Sequence, residues 1–148
     1  MILTNCIASN VNEKARLLGF ACSILSMCPR HSLFQIATLK LWISPAIDHR
    51  QIAFFFSKAS IPVGYMTWAH LAPDSEERLL KDLDFLLHPS EWNEGGKAWI
   101  IDFNFPGGFA VDAIKEIKEV LRRENIEKIY WARRNDDYTV RKIASCCL

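Results

Sequence analysis

A chain of 148 residues makes one ordinary domain, since cutting it in two would leave two marginal cores. Half of the residues are hydrophobic and 24% are charged, which excludes a disordered chain. Eighteen Lys and Arg against seventeen Asp and Glu leave a net charge of +1, which excludes nucleic-acid binding driven by bulk charge.

The first expected element is a helix over residues 10–27. Asn10 or Asn12 can cap it, Leu17, Leu18, Ala21, Ile24 and Leu25 recur at helical spacing, and Pro29 stops it. A second helix is expected over residues 32–43, ended by Pro45. Two strands follow at 51–57 and 63–71, with 58–62 as a hairpin connection. The stretch 74–87 reads as a helix: Asp74 and Glu77 have capping-box spacing, and Leu79, Leu80, Leu83, Leu86 and Leu87 form an apolar stripe. After a loop with Pro89, Gly95 and Gly96 comes a strand over 98–105. Alternation sends Trp99, Ile101, Phe103 and Phe105 to one face and Ile100, Asp102 and Asn104 to the other. Pro106-Gly107-Gly108 is a sharp turn. Residues 110–125 then read as a helix with Val111, Ile114, Ile117, Val120 and Leu121 inward, and 126–132 as a last strand. Hairpins combined with helices predict an α+β domain with a mixed sheet.

The five cysteines are Cys6, Cys22, Cys28, Cys146 and Cys147. Their odd count, irregular spacing and lack of a C-x-x-C pair fit neither a disulfide framework nor a zinc site. Free thiols in a reducing cytoplasm are expected. Cys146-Cys147-Leu148 is not a prenylation box, because Ser145 stands fourth from the end. The apolar run 17–28 follows Lys14 and Arg16 as the core of a signal peptide would, yet Pro29-Arg30-His31 comes after it instead of a small-x-small cleavage site. No apolar run reaches the roughly 18 residues that span a bilayer. A cytoplasmic protein without a transmembrane segment is expected.

Two residues stand out for chemistry. His31 follows a helix end in the tight turn Cys28-Pro29-Arg30-His31. It reads either as a surface-loop histidine or as a general base, since imidazole titrates near neutrality. Asp102 puts a carboxylate inside an apolar strand, which is costly unless the group is paired or solvated in a cleft. It shares its face with Asn104, so both a polar pocket and a buried loop-pinning Asp remain open. His49, His70 and His88 have no metal-ligand spacing, and no metal site is assigned. Gly107-Gly108 opens the expected helix but lacks the lysine of a Walker loop and the third glycine of a dinucleotide fingerprint. Residues 115–142 hold nine basic side chains against six acidic ones. That excess reads as a solvated helix face or as a docking patch for an acidic partner.

Several stretches, taken in order, have a further meaning. They are Leu18-Gly19, Cys28-Pro29-Arg30-His31, Ser44-Pro45-Ala46-Ile47, Ile61-Pro62-Val63-Gly64-Tyr65 and Thr67-Trp68-Ala69. Glu91-Trp92, Gly96-Lys97-Ala98-Trp99-Ile100-Ile101-Asp102, Phe105-Pro106-Gly107 and the basic stretch 129–134 follow. In order and spacing the chain resembles the RTX toxin-activating lysine acyltransferases, the hemolysin-activating protein family, over nearly all of its length after the first dozen residues. The resemblance implies a single GNAT-like domain spanning residues 1–148. It implies transfer of a fatty acyl chain from acyl-acyl carrier protein to internal lysines of an RTX protoxin, with no bound cofactor. The family's essential His, in a Ser-Pro-x-His pattern, falls on His31, and its essential Asp, in a Trp-x-x-Asp pattern, falls on Asp102. Only the resemblance pairs these two. The chain departs from the pattern at Cys28, which replaces the Ser, at Ser32, which replaces an Arg, and at Phe105-Pro106-Gly107-Gly108. It also ends earlier than familiar members.

The implied reaction is aminolysis of a thioester. A lysine of reference pKa near 10.4 is protonated by about a thousandfold at pH 7, so its proton must be removed before attack. His31 is the expected base and Asp102 the group that orients the imidazole and stabilises its cation. Cys28 is either a small buried substitute for Ser or an auxiliary acyl acceptor. Gly107 and Gly108 are candidate oxyanion donors. Lys115, Lys118, Arg122, Arg123, Arg133 and Arg134 are candidates for docking the acidic carrier protein. Two other readings stay open, and so does a homodimer through an exposed aromatic face. One is a CoA-dependent GNAT enzyme, although Arg133-Arg134-Asn135-Asp136-Asp137 lacks the glycines of a pyrophosphate loop. The other is a toxin-binding chaperone with weak or no catalysis.

Overall fold

The computed structural model describes residues 2–5, 11–29 and 36–148. The described residues form β1 (Ile2–Asn5), α1 (Val11–Ser26), α2 (Ile36–Asp48), β2 (Ile52–Phe56) and β3 (Pro62–Leu71). They continue with α3 (Pro73–Lys81), a single 3₁₀ turn at Pro89–Trp92, β4 (Lys97–Asn104), α4 (Ile114–Arg123), β5 (Lys128–Arg134) and β6 (Val140–Cys147). The strands form one sheet in chain order, β1 to β6. Every neighbouring pair is antiparallel except β4 and β5, which α4 links in parallel. The predicted α+β class with a mixed, mostly antiparallel sheet is what the chain adopts.

Both faces of the sheet are covered, and β2 is accordingly apolar throughout. All five residues of β2 are buried. On one face α1 and α2 place Leu17, Ala21, Ile24, Ile43, Ala46 and Ile47 against Phe54, Tyr65, Ala69 and Trp99. On the other face α4 places Ile117, Val120 and Leu121 against Ala53, Phe55, Met66, Trp68 and Ala98. Period-two alternation along β2 and β3 divides these two sets.

Several expected boundaries move. The start of the second predicted helix lies outside the described residues, and its end runs past Pro45 to Asp48. A proline removes only its own donor, and the turn still closes through His49 N–H to Pro45 O (2.9 Å) and Gln51 N–H to Ala46 O (2.8 Å). The helix expected over 74–87 stops at Lys81 and starts at Pro73, with Ala72 as its N-cap and no side-chain cap from Asp74. Proline, with its preset φ, opens the helix. Beyond it Phe85 and Leu87 return to the core while Leu83 points to solvent. Arg78 holds this return, bonding to Leu86 O and Glu91. The last helix begins at Ile114, after turns that fill residues 106–113. Val111 and Ile114, expected inward, are 75% and 50% exposed, and Ala113 packs in their place. Two strands, β1 and β6, are not among the elements expected from the sequence. In β6 every residue is exposed or half-buried, as suits an edge strand, and β1 pairs with β2 at the opposite edge.

Candidate active site

The site is built on a register shift. The ladder pairs Thr67 with Asp102 but Trp68 with Ile100, so Ile101 is an extra residue in β4. A β-bulge of this kind breaks the alternation by one position. Before it, Ala98 and Ile100 face α4, while Trp99 and Ile101 face α1 and α2. After it, Asp102 and Asn104 bond to residues of the α1–α2 face. The shared face of Asp102 and Asn104 is as expected. Their placement with Ile100, opposite Trp99 and Ile101, is corrected: the bulge moves them to the side of Trp99, and Phe105 packs on the α4 side with Ile100.

On that face the Asp102 carboxylate accepts from four donors. Tyr65 Oη and Trp42 Nε1 donate to Oδ2 at 2.5 and 3.0 Å. The Phe103 backbone N–H and Asn104 Nδ2 donate to Oδ1 at 2.9 and 2.6 Å. Asn104 Nδ2 also donates to Tyr65 Oη (2.8 Å), and Asn104 Oδ1 accepts from Cys28 Sγ (3.6 Å). A continuous chain of bonds thus runs from the end of α1 through Asn104 and Tyr65 to Asp102. Burial, followed by the Asp102 charge and the bond donated to it, pushes the Tyr65 phenol far above the usual tyrosine range. Burial first, and then the Asp102 charge, push the Cys28 thiol up.

The other expected site residues are placed as follows. His31 lies outside the described residues. Cys28 sits just past α1, held by its N–H to Leu25 O (3.0 Å), and is buried. Gly107 and Gly108 are exposed and lie several residues before α4 rather than opening it. Gly108 takes a φ of +76° and its N–H closes a turn onto Phe105 O. Lys115, Arg122, Arg123 and Arg133 are exposed, and Lys118 is half-buried. Arg134 is a structural tie: it bonds to Leu79 O at 2.5 Å and to Tyr138 O at 2.8 Å. Among the described residues, Cys22, Cys28, Cys146 and Cys147 are free thiols. Trp42 and Tyr65 were not singled out as site residues from the sequence. Tyr65 carried no signal beyond its place in a matching stretch, and Trp42 none at all.

Comparison with known proteins decides what family this arrangement belongs to. The profile of the RTX toxin acyltransferase family matches residues 10–145. The chain belongs to the RTX toxin acyltransferase family. Among its relatives, the leukotoxin-activating lysine-acyltransferase LktC of a Pasteurella haemolytica-like species (strain 5943B) is 31% identical over 70% of this chain and 62% of its own length. The protein-lysine myristoyltransferase HlyC of Escherichia coli is 27% identical over 67% of this chain and 56% of its own. The matched region is thus less than two thirds of these relatives. In fold the chain is similar to the GphF GNAT-like decarboxylase, solved with isobutyryl-CoA, at a TM-score of 0.58 and 14% identity over 92% of this chain and 68% of that one. An acetyltransferase of the GNAT family from Listeria monocytogenes superposes at 0.51, with 11% identity over 91% of this chain and 77% of that one. The GNAT-like fold implied by the sequence resemblance is therefore the fold of this family member.

Proposed function

We propose that this chain is a protein-lysine acyltransferase. It moves a fatty acyl group from the thioester of an acyl-acyl carrier protein to the ε-amino group of internal lysines of an RTX protoxin, in the cytoplasm. The observation that carries this reading is the Asp102 carboxylate, held by four donors on a strand of a family member. A carboxylate fixed in this way suits the orientation of an imidazole better than the binding of a mobile substrate.

His31 takes the proton from the substrate ammonium. The free amine attacks the thioester carbon, the C–N bond forms, the C–S bond breaks, and the carrier's thiol leaves with a proton. Asp102 orients the imidazole of His31 and stabilises its cation, and base catalysis contributes about 10²–10⁴-fold. Positioning supplies much of the remainder. Among the described residues the β4–β5 ladder has two register pairs, Ala98–Ile129 and Trp99–Tyr130. Direct transfer is favoured over an acyl-Cys28 intermediate, because burial and the Asp102 charge keep the thiol protonated. Lys115, Lys118, Arg122 and Arg123 on α4 and Arg133 on β5 dock the acidic carrier protein.

The test is peptide mass spectrometry after incubating the protein with acyl-acyl carrier protein and an RTX protoxin, alongside His31→Ala and Asp102→Asn. Acylated lysine formed by the wild type and lost in both variants is expected. A folded wild type that transfers nothing to its cognate protoxin overturns the reading. Transfer that survives His31→Ala overturns the assignment of the base.

A further inference from the structure

We propose that Asn104 is a positioning residue of this centre, whose carboxamide ties the end of α1 to the Asp102 carboxylate and fixes the orientation of that carboxylate. The proposal rests on the acyl-transfer reading above and assigns Asn104 a part in the same site.

Asn104 is 5% exposed, so its polar atoms must find partners within the protein. They find three: Asp102 on the same strand, Tyr65 on β3 and Cys28 just past α1. Nδ2 has two hydrogens, donated to Asp102 Oδ1 (2.6 Å) and Tyr65 Oη (2.8 Å). Oδ1 accepts from Cys28 Sγ at 3.6 Å, within reach for sulfur. The carboxamide plane therefore sets two directions together. One is the turn of the carboxylate about its own bond, since Oδ1 is held from one side by Asn104 and from the other by the Phe103 N–H. The other is the position of Cys28 at the end of α1. Substrate does not need to touch Asn104 for this to matter. The β-bulge completes the argument: it puts Asp102 and Asn104 on the α1 side, where the tie can form.

The test compares wild type, Asn104→Leu, Tyr65→Phe and the double variant in steady-state acyl transfer, with the folded fraction of each measured separately. Leucine matches the shape of the carboxamide and removes its donors. In Asn104→Leu, kcat should fall about ten- to a hundredfold, the range expected for a bond to a charged group, with an unchanged KM for the donor. The loss from Tyr65→Phe should shrink in the Asn104→Leu background, because both act through Asp102. Should Asn104→Leu fail to fold, Asn104→Ser, which keeps one donor, carries the same test: a lowered kcat at unchanged KM is expected. A folded variant with wild-type kcat, or with kcat lost only in proportion to folded protein, overturns the assignment. A folded wild type without transfer is a different result and overturns the acyl-transfer reading along with it.

Discussion

Tyr65→Phe probes the electrostatics of the site without disturbing its packing. The ring is fully buried beside Phe54, with centroids 6.0 Å apart, and only the hydroxyl is removed. That hydroxyl donates to Asp102 and accepts from Asn104. Loss of a hydrogen bond to a charged group costs about 1.5–3 kcal/mol. At about 2–4 °C per kcal/mol for a chain of this size, the midpoint of thermal unfolding should drop by roughly 3–12 °C near neutral pH. A second effect has the opposite trend. The folded phenol titrates far above an unfolded tyrosine, chiefly through burial and then through the Asp102 charge. The folded state therefore keeps a proton that the unfolded state releases above about pH 10. Stability from this group is complete below that pH and is lost as pH rises, at about 1.4 kcal/mol per unit. Phenylalanine has no such proton. Urea unfolding of both proteins from about pH 8 to about pH 11 should show the gap between them narrowing above pH 10. Parallel pH dependences would refute the reasoning, because the phenol would then be no more protected in the fold than out of it.

Gly95→Ala should be severely destabilising, by about 3 kcal/mol or more, since an added Cβ would lie 1.6 Å from the Leu71 carbonyl oxygen. Gly96→Ala, with nothing within 4 Å, is the control and should stay within about 0.5 kcal/mol in the same urea titration. Alkylation mapped by peptide mass spectrometry should label exposed Cys22 well before buried Cys28, and equal rates would contradict the raised thiol pKa. If the basic side chains dock the carrier protein, the donor KM should rise as salt shortens the screening length from about 10 Å at 0.1 M to about 3 Å at 1 M. A salt-independent KM would remove that role. Arg134→Ala should lower stability in urea and leave donor KM alone, because its bonds go to Leu79 and Tyr138 carbonyls.

Much of the fold was legible in the residues. α1, β2 and β3 were expected within two residues of their bounds, because α1 repeats apolar residues at helical spacing and β2 and β3 are short apolar runs joined by a hairpin connection. The errors have particular causes. Pro45 reads as a stop but loses only one donor in a helix whose Ala46 and Ile47 are driven into the core. Leu83 looks like part of a helical stripe, yet Arg78 fastens the chain at Leu86 and turns that stretch into a return loop. β6 carries no apolar pattern, since its pairing with β5 supplies backbone bonds rather than burial.

The sequence by itself determined the α+β class and the family, and it singled out Asp102 as a candidate, a carboxylate whose place in an apolar strand is costly unless something pairs it. It could not show what pairs it. Trp42 is 60 residues from Asp102 and Tyr65 is 37, and no local period relates them. Nor could it show which face Asp102 occupies. Strict alternation puts it on the α4 side, but the extra residue at Ile101 exists only as a mismatch between β4 and β3. Register is a property of two strands together, so the direction of the central carboxylate was decided by tertiary pairing and not by the strand that carries it.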